Sequence, residues 1–352
     1  MLNTIRTTLS SDLTKRWMEE QVPKLPPISP LLRTAFVFDF LIFLPLLLFA
    51  NYTLASVFTT LAVVENPDSA PSYAALAAHD EEDGIAQAGA AQTLRKQPDV
   101  NPPPAPAGVV TSSMRATFRH MYSVGGLRMF FRGILCAWAI FMADSFVGGI
   151  FLAIPFVFPF GRLVAYLALC QLHTAWVHIV ISDRPNGSLA FWRRLPPFGK
   201  TFNATKYAVG LFWLADTFTG TTPYVVATFM GDDGKVNGQT LCVLLILTTL
   251  MLLVRLPAFV ALTLVQASLL PEEDGTVVPF DRSFGGRVGP AELGGAEYLS
   301  IRDAFKSLSR ESWVRVIKMF VKTFLVIVAL MLVISIVVAV QVVALQPHGS
   351  RH

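Results

Sequence analysis

The sequence has little charge and few cysteines for its length. Charged residues make up 15% of the 352 positions, whereas soluble domains carry roughly a quarter. The three cysteines form no CxxC pair, so the sequence predicts neither a disulfide framework nor a zinc site. The net charge of +4 is small and no nucleic-acid motif is present, so nucleic acid is not an expected partner. Each cysteine lies in an apolar run, which favours small buried side chains: Cys136, Cys170 and Cys242.

Long apolar runs dominate what is there. Hydrophobic residues make up 53% of the chain, and the mean hydropathy is +0.54. Several runs exceed the ~18 apolar residues that indicate a membrane span. We therefore predict an integral, multi-pass membrane protein with the lipid bilayer as a partner. Six spans are expected, at about 31–64, 134–158, 163–182, 207–230, 240–270 and 319–345.

The first run is long for one upright helix, so we expect tilt and a kink near Pro45, with a hairpin as the alternative. Residues 1–30 are polar and amphipathic, and could lie on a membrane surface. Residues 65–110 contain acidic, alanine-rich and proline-rich stretches, which predict a disordered insert. Residues 346–352 form a short tail.

A six-residue pattern occurs twice inside the apolar runs. The sequence ADSFVG at 143–148 returns as ADTFTG at 215–220. A carboxylate in a span is costly and usually faces a bundle interior or a wet cavity. Asp144 and Asp216 are therefore the best candidates for a central site that binds a cation, a proton or a polar solute. The alternative is that both side chains only link neighbouring helices.

Three further side chains are candidates for the same site. Arg255 lies well inside the fifth run, where it could attract an anionic solute or pair with Asp144 or Asp216; the alternative is snorkelling toward an interface. His173 and His178 are five residues apart and do not share a helical face, so structural hydrogen bonds are favoured over a metal. His178 could titrate near neutral pH. We predict no metal and no cofactor.

Smaller polar features have structural interpretations. Asp39 and Gln171 are expected to make contacts between helices, and the pair Gly148-Gly149 is expected to permit close helix packing. No GxxxxGK motif for phosphate binding is present.

Basic amphipathic segments precede three of the apolar runs. We predict surface helices over 116–133 and 300–318, with a bend at Gly125-Gly126 in the first and a fainter copy at 192–199. A unit of span, surface helix and span would then occur three times. The two clearer copies align Phe118, Met121, Gly125, Leu127 and Arg128 with Phe305, Leu308, Ser312, Val314 and Arg315.

This arrangement resembles the mitochondrial carrier family. Phe118, Gly125 and 131–133 are similar to its matrix-helix signature, and 257–266 resembles its odd-helix signature, with proline and glutamine correctly spaced. A weaker copy lies at 173–182, with His178 at the basic position. The resemblance implies three repeats, a mitochondrial membrane and alternating access.

The chain departs from that family at its gate. Phe259 and Leu262 occupy the acidic and basic positions in the fifth span, and Ala175 the acidic position in the third. Gate ion pairs are therefore not expected. Divergent members of the family can act as scaffolds or insertion factors. The stretch 271–284 also resembles fungal multispan proteins, some of which carry a ubiquitin-conjugation label; we expect no such chemistry, since the cysteines lie in spans.

Together these patterns predict an all-α bundle of six spans in three pseudo-repeats. The expected function is carrier-like transport of a small solute through a central polar site, and the alternative is a non-transporting scaffold or insertion factor. An enzyme is not expected, since no nucleophile, metal set or acid-base pair stands out. The loops after the odd spans are the more basic, which places them in the cytoplasm or the matrix.

Overall fold

The computed structural model describes residues 29–66, 109–152, 158–183, 191–220, 228, 238–289 and 296–345. Within these residues the regular structure is helical, and only two isolated β-bridges occur. The all-α prediction is confirmed to this extent. The predictions for residues 1–28, for the insert between 67 and 108 and for the tail lie outside the described residues.

The helices follow the apolar runs, and we number them in chain order. They are α1 (Pro30–Val64), α2 (Met114–Gly125), α3 (Ile134–Leu152), α4 (Phe158–Ala168), α5 (Cys170–Ile181), α6 (Phe198–Gly220), α7 (Gly238–Ala267), α8 (Ile301–Ser307) and α9 (Arg310–Leu345). Short 3₁₀ turns precede or follow some of them, at Val110–Ser112, Gly126–Phe131 and Phe191–Arg194.

Among the described residues, three stretches are long and apolar enough to cross a membrane: Pro30–Val64, Met114–Phe151 and Arg310–Leu345. A fourth is reached if α4 and α5, which meet at an angle of 59°, form one broken span. These lengths and compositions fit an integral membrane protein. The count of six spans is not established by the described helices.

The helices differ from the predicted spans in several places. The third run is two helices broken at Leu169, whose φ of −96° and ψ of 9° are not helical. The fourth helix begins at Phe198 rather than near 207. The last begins at Arg310 and includes the second half of the basic segment that we expected to lie on the surface. By contrast, α2 ends at Gly125 as predicted, because Gly126 takes a positive φ of 63°.

The residues fall into two compact units. One contains residues 1–47 and 328–352. Its described part is the first half of α1 and the second half of α9, whose apolar side chains are largely exposed, as in lipid-facing helices. Gln341 Nε2 donates to Asp39 Oδ1 at 3.0 Å, and Ser29 Oγ donates to the Leu345 carbonyl at 2.9 Å. Asp39 is thus an interhelical contact, as expected.

The other unit contains residues 48–327 and holds the main core. The core gathers the end of α1, the end of α5 and the C-terminal half of α7. Described residues of the segment 271–300 also enter it. Its buried side chains are Val277, Val278, Phe280, Phe284 and Leu299. The segment is tied to α5, because Val277 N donates to the Ile181 carbonyl at 2.9 Å.

The second half of α1 is anchored to the short segment that precedes α3. A π-helical stretch, Phe49–Phe58, begins four residues after Pro45, so the irregularity lies later than the predicted kink. Within it, Tyr52 donates to the Arg132 carbonyl, and Thr53 donates to the Phe130 carbonyl at 2.9 Å.

Two glycines are required by close approach. Gly133 has a positive φ of 76°, and a Cβ there would lie 3.3 Å from Tyr52 Oη. Gly161 on α4 packs on Phe151 of α3, where an added Cβ would lie 2.6 Å from the Phe151 Cβ. At Gly148 and Gly149 an added Cβ would meet no described residue within 4 Å, so the close packing predicted for this pair stays a prediction.

Candidate functional site

A buried carboxylate on α6 joins two other helices. Asp216 is 7% exposed. Its Oδ1 lies 3.1 Å from Arg255 Nη2 on α7, and its Oδ2 lies 3.4 Å from Arg162 Nη1 on α4. Tyr166 Oη donates to the same Oδ2 at 3.1 Å. The charge of Asp216 is thus balanced by two guanidinium groups, which offsets the cost of placing it among apolar helices.

Helical spacing explains why these groups converge. Arg162 and Tyr166 are four residues apart on α4, so both side chains reach the same neighbour. Phe212 and Asp216 have the same spacing on α6. Each arginine also lies over an aromatic ring, with 6.0 Å from its guanidinium carbon to the ring centroid: Arg162 over Tyr166, and Arg255 over Phe212.

The second aspartate of the repeated pattern adds α3 to this group. Asp144 is half-buried and interacts electrostatically with Arg162 and Asp216. Its Oδ1 is buried and has no hydrogen-bond partner among the described residues. We call Asp144, Arg162, Asp216 and Arg255 the four-charge cluster. Two carboxylates and two guanidiniums give it a net charge of zero when all are ionised.

Two aromatic side chains with buried polar nitrogens surround the cluster. His173 on α5 makes an edge contact with Tyr166, with ring centroids 6.0 Å apart. Trp213 stacks on Phe160 at 5.7 Å and lies three residues before Asp216, on the same face of α6. Neither His173 Nε2 nor Trp213 Nε1 has a hydrogen-bond partner among the described residues. These two ring nitrogens are therefore further hydrogen-bonding groups beside the ion pairs of the cluster.

The structure places four of the five predicted site residues together and the fifth elsewhere. Asp144, Asp216, Arg255 and His173 lie in or against the four-charge cluster, and Arg255 forms one of its two expected pairs, with Asp216. His178 lies elsewhere: it is buried, and its Nε2 is 2.9 Å from the Gln266 carbonyl. The i,i+5 spacing already indicated different faces for the two histidines.

Sequence reasoning missed Arg162 and Tyr166. Arg162 lies within the first half of α4. The signal was available in the four-residue spacing of a cation and an aromatic inside an apolar run. Gln171, expected to contact another helix, donates instead to the Pro196 carbonyl at 2.6 Å, in the connection before α6.

A second buried carboxylate closes the core end of α1. Glu65 is 2% exposed. Its Oε1 accepts from Val110 N at 2.5 Å, and its Oε2 accepts from Thr111 N at 2.9 Å and from the Thr111 hydroxyl. Arg315 Nη1 on α9 lies 3.8 Å from Oε2, and its Nη2 donates to the Glu65 carbonyl at 2.5 Å. We call these four residues the Glu65 clasp.

The Glu65 clasp corrects the predicted insert boundaries. Residues 65 and 110 were assigned to a disordered insert, yet both are buried and hydrogen-bonded. Nothing in the local pattern distinguishes Glu65 from a solvated residue at the end of a span. Its partners are distant in sequence, and only the fold brings them together.

The four-charge cluster offers a ligand ion pairs and hydrogen bonds from two carboxylates and two guanidiniums. Among the described residues, no three His, Cys, Asp or Glu side chains are grouped closely enough to hold a metal ion. Comparisons of the chain with families, curated proteins and solved structures found no match. Function must therefore be argued from the cluster itself.

Proposed function

We propose that the protein is a carrier-like membrane transporter of a small solute, with the four-charge cluster as its central site. The observation that carries the proposal is Asp144: a carboxylate oxygen, buried and without a hydrogen-bond partner among the described residues, beside a guanidinium shared with another carboxylate. Ionisable groups inside a membrane bundle are expensive and usually mark solute, ion or proton pathways.

The placement of the cluster supports this proposal. Its members come from four helices, so a change of protonation or occupancy can alter how α3, α4, α6 and α7 pack together. Arg255 lies about 25 Å along α7 from Gly238, at a rise of ~1.5 Å per residue. If α7 crosses the bilayer, the cluster lies deep within it, where a transported solute must pass.

We further propose six spans in three pseudo-repeats, with α4 and α5 together as the third span and α6 and α7 as the fourth and fifth. The repeated Asp144 and Asp216 support equivalence of the second and fourth spans. The surface segments give less support to the pseudo-repeats, because Gly125 and Ser312 are aligned positions. The helix ends at Gly125 in one segment, whereas in the other a new helix begins before Ser312, at Arg310. A mitochondrial membrane, with the odd loops in the matrix, follows from the resemblance to carriers.

The alternative is a non-transporting scaffold or insertion factor. It is favoured by the two guanidiniums and the tyrosine hydroxyl on Asp216, which make that residue a strong link between helices. The Glu65 clasp likewise stabilises the bundle without offering a solute path.

The test is uptake by purified protein in liposomes, with radiolabelled small carboxylates, amino acids and inorganic cations as separate probes. We expect uptake of at least one class, and its loss in Asp144→Asn with the protein still folded. Glu272→Gln, which removes an exposed carboxylate from the loop after α7, should transport normally. Absence of uptake in every class, with folded wild-type protein, would leave the scaffold alternative.

Cell fractionation tests the membrane. Protease protection of the connection between Glu65 and Val110 inside intact mitochondria, lost when the inner membrane is opened, would agree with the proposed location. Residence in the endoplasmic reticulum or plasma membrane would contradict it.

A further inference from the structure

We infer that the four-charge cluster is a proton-coupled anion site, and that its ligand is a small carboxylate. The inference rests on the proposed function, since it names the solute class and the coupling ion of that same site. It starts from the unequal surroundings of the two aspartates. Asp216 has two guanidiniums and a tyrosine hydroxyl on its oxygens, whereas Asp144 Oδ1 has no hydrogen-bond partner in the described part of the chain.

The first step concerns charge. With both carboxylates ionised, the cluster is neutral, and an anion entering alone would leave one uncompensated negative charge among apolar helices. Such a charge is strongly disfavoured. If one proton enters with the anion and binds Asp144, the two guanidiniums balance Asp216 and the ligand. The site is then neutral both empty and loaded, at a ratio of one proton to one anion.

The second step concerns which aspartate takes the proton. The two oxygens of Asp216 lie 3.1 and 3.4 Å from cationic nitrogens of different helices, and its Oδ2 also accepts from Tyr166. Protonating it would weaken all three contacts. Protonating Asp144 costs less, and it releases Arg162 from the attraction of one carboxylate.

The third step concerns the ligand. Asp216 already shows how a carboxylate fits here, with one oxygen toward Arg255 and the other toward Arg162. A guanidinium has five N–H donors in a planar fork, so each arginine has donors left for a second carboxylate. Trp213 Nε1, which can only donate, is buried on the same face of α6 and has no acceptor among the described residues.

Other titratable groups around Asp144 fit the same scheme. Arg162 and Tyr166 face it from α4 and Asp216 from α6. Arg255 of α7 pairs with Asp216, and His173 of α5 lies against Tyr166. The arginines stay charged across the pH range of an experiment, so they do not compete for the coupled proton. His173 is the competing site for the coupled proton, and the variants below distinguish His173 from Asp144.

The experiment uses the full-length protein in detergent, with acetate as probe and acetamide as its uncharged isostere. Acetate affinity is measured by calorimetry, and proton uptake by a pH indicator in weakly buffered solution. We expect one proton taken up per acetate bound, and affinity that falls about tenfold per pH unit on the alkaline side of the transition. Acetamide should bind at least tenfold more weakly.

Asp144→Asn resembles the protonated site. It should bind acetate without proton uptake and with little dependence on pH. Arg162→Gln should weaken acetate at least tenfold, and this side chain, 58% exposed, is the cluster member least needed for folding. His173→Gln should retain proton uptake. Glu272→Gln is the matched control and should behave as wild type.

Acetate binding without proton uptake, or proton uptake that persists in Asp144→Asn, would overturn the inference. So would the absence of acetate binding by folded wild-type protein. The proposed function can fail separately from this inference. Acetate binding with proton uptake, but without flux in liposomes, would support the anion site and contradict transport. Flux of a cation or neutral solute without acetate binding would support transport and contradict the anion site.

Discussion

Glu65→Ala is the sharpest test of the packing described above. The carboxylate accepts from two backbone N–H groups and one hydroxyl, and it pairs with a largely buried arginine. Removing one partner of a buried charge pair typically costs about 3–5 kcal/mol. Arg315 retains the Glu65 carbonyl as an acceptor, so we expect the lower part of that range.

Each kcal/mol shifts the melting temperature of a domain of 150–250 residues by roughly 2–4 °C. We therefore expect Glu65→Ala to melt about 6–12 °C below wild type, measured by tryptophan fluorescence in detergent. Glu65→Gln keeps the side-chain volume but turns its NH₂ group toward a backbone N–H donor. Its melting temperature should lie between those of wild type and Glu65→Ala. Hydrogen exchange at Val110 and Thr111 should accelerate in both variants.

The control is Glu272→Ala, which removes an exposed carboxylate and should melt like wild type. If Glu65→Ala melts within a degree or two of wild type and Val110 stays protected, the Glu65 clasp does not stabilise the bundle and the reasoning fails.

Three further predictions concern single positions. Gly133→Ala should lower stability by about 1–2 kcal/mol in thermal unfolding, because a Cβ is disfavoured at a positive φ and would press on Tyr52. Gly161→Ala should be destabilised by about 1–3 kcal/mol through overpacking, whereas Gly148→Ala, where a Cβ meets no described residue within 4 Å, should be neutral or stabilising. Equal melting temperatures for the two variants would contradict the α3–α4 packing. Asp39→Asn should keep the contact with Gln341, while Asp39→Leu should lower stability by about 0.6–1.7 kcal/mol, and similar melting of both variants would show that the contact contributes nothing.

Apolar runs predicted helices well, because a span needs only length and composition. The repeated aspartates were informative for the same reason: a charge inside such a run must find partners. The pairing of Arg255 with Asp216 follows from that requirement. Which helices supply the remaining partners depends on tertiary packing, and Arg162 was therefore missed.

Features without a local signal could not be predicted. The break at Leu169 contains neither proline nor glycine, the residues that usually mark one. The segment 271–300 reads as polar, yet its few apolar residues are the ones that the core buries. Glu65 is an ordinary acidic residue until the fold places two backbone amides and an arginine around it.

The Glu65 clasp has a consequence for the 42 residues from 67 to 108. Because the Glu65 side chain binds Val110 and Thr111, it holds the two ends of this connection together. The entropy of closing a connection grows only logarithmically, by about 0.6 kcal/mol for each doubling of length. A change in the length of the connection therefore adds little to the free energy of bringing α1 and α2 together.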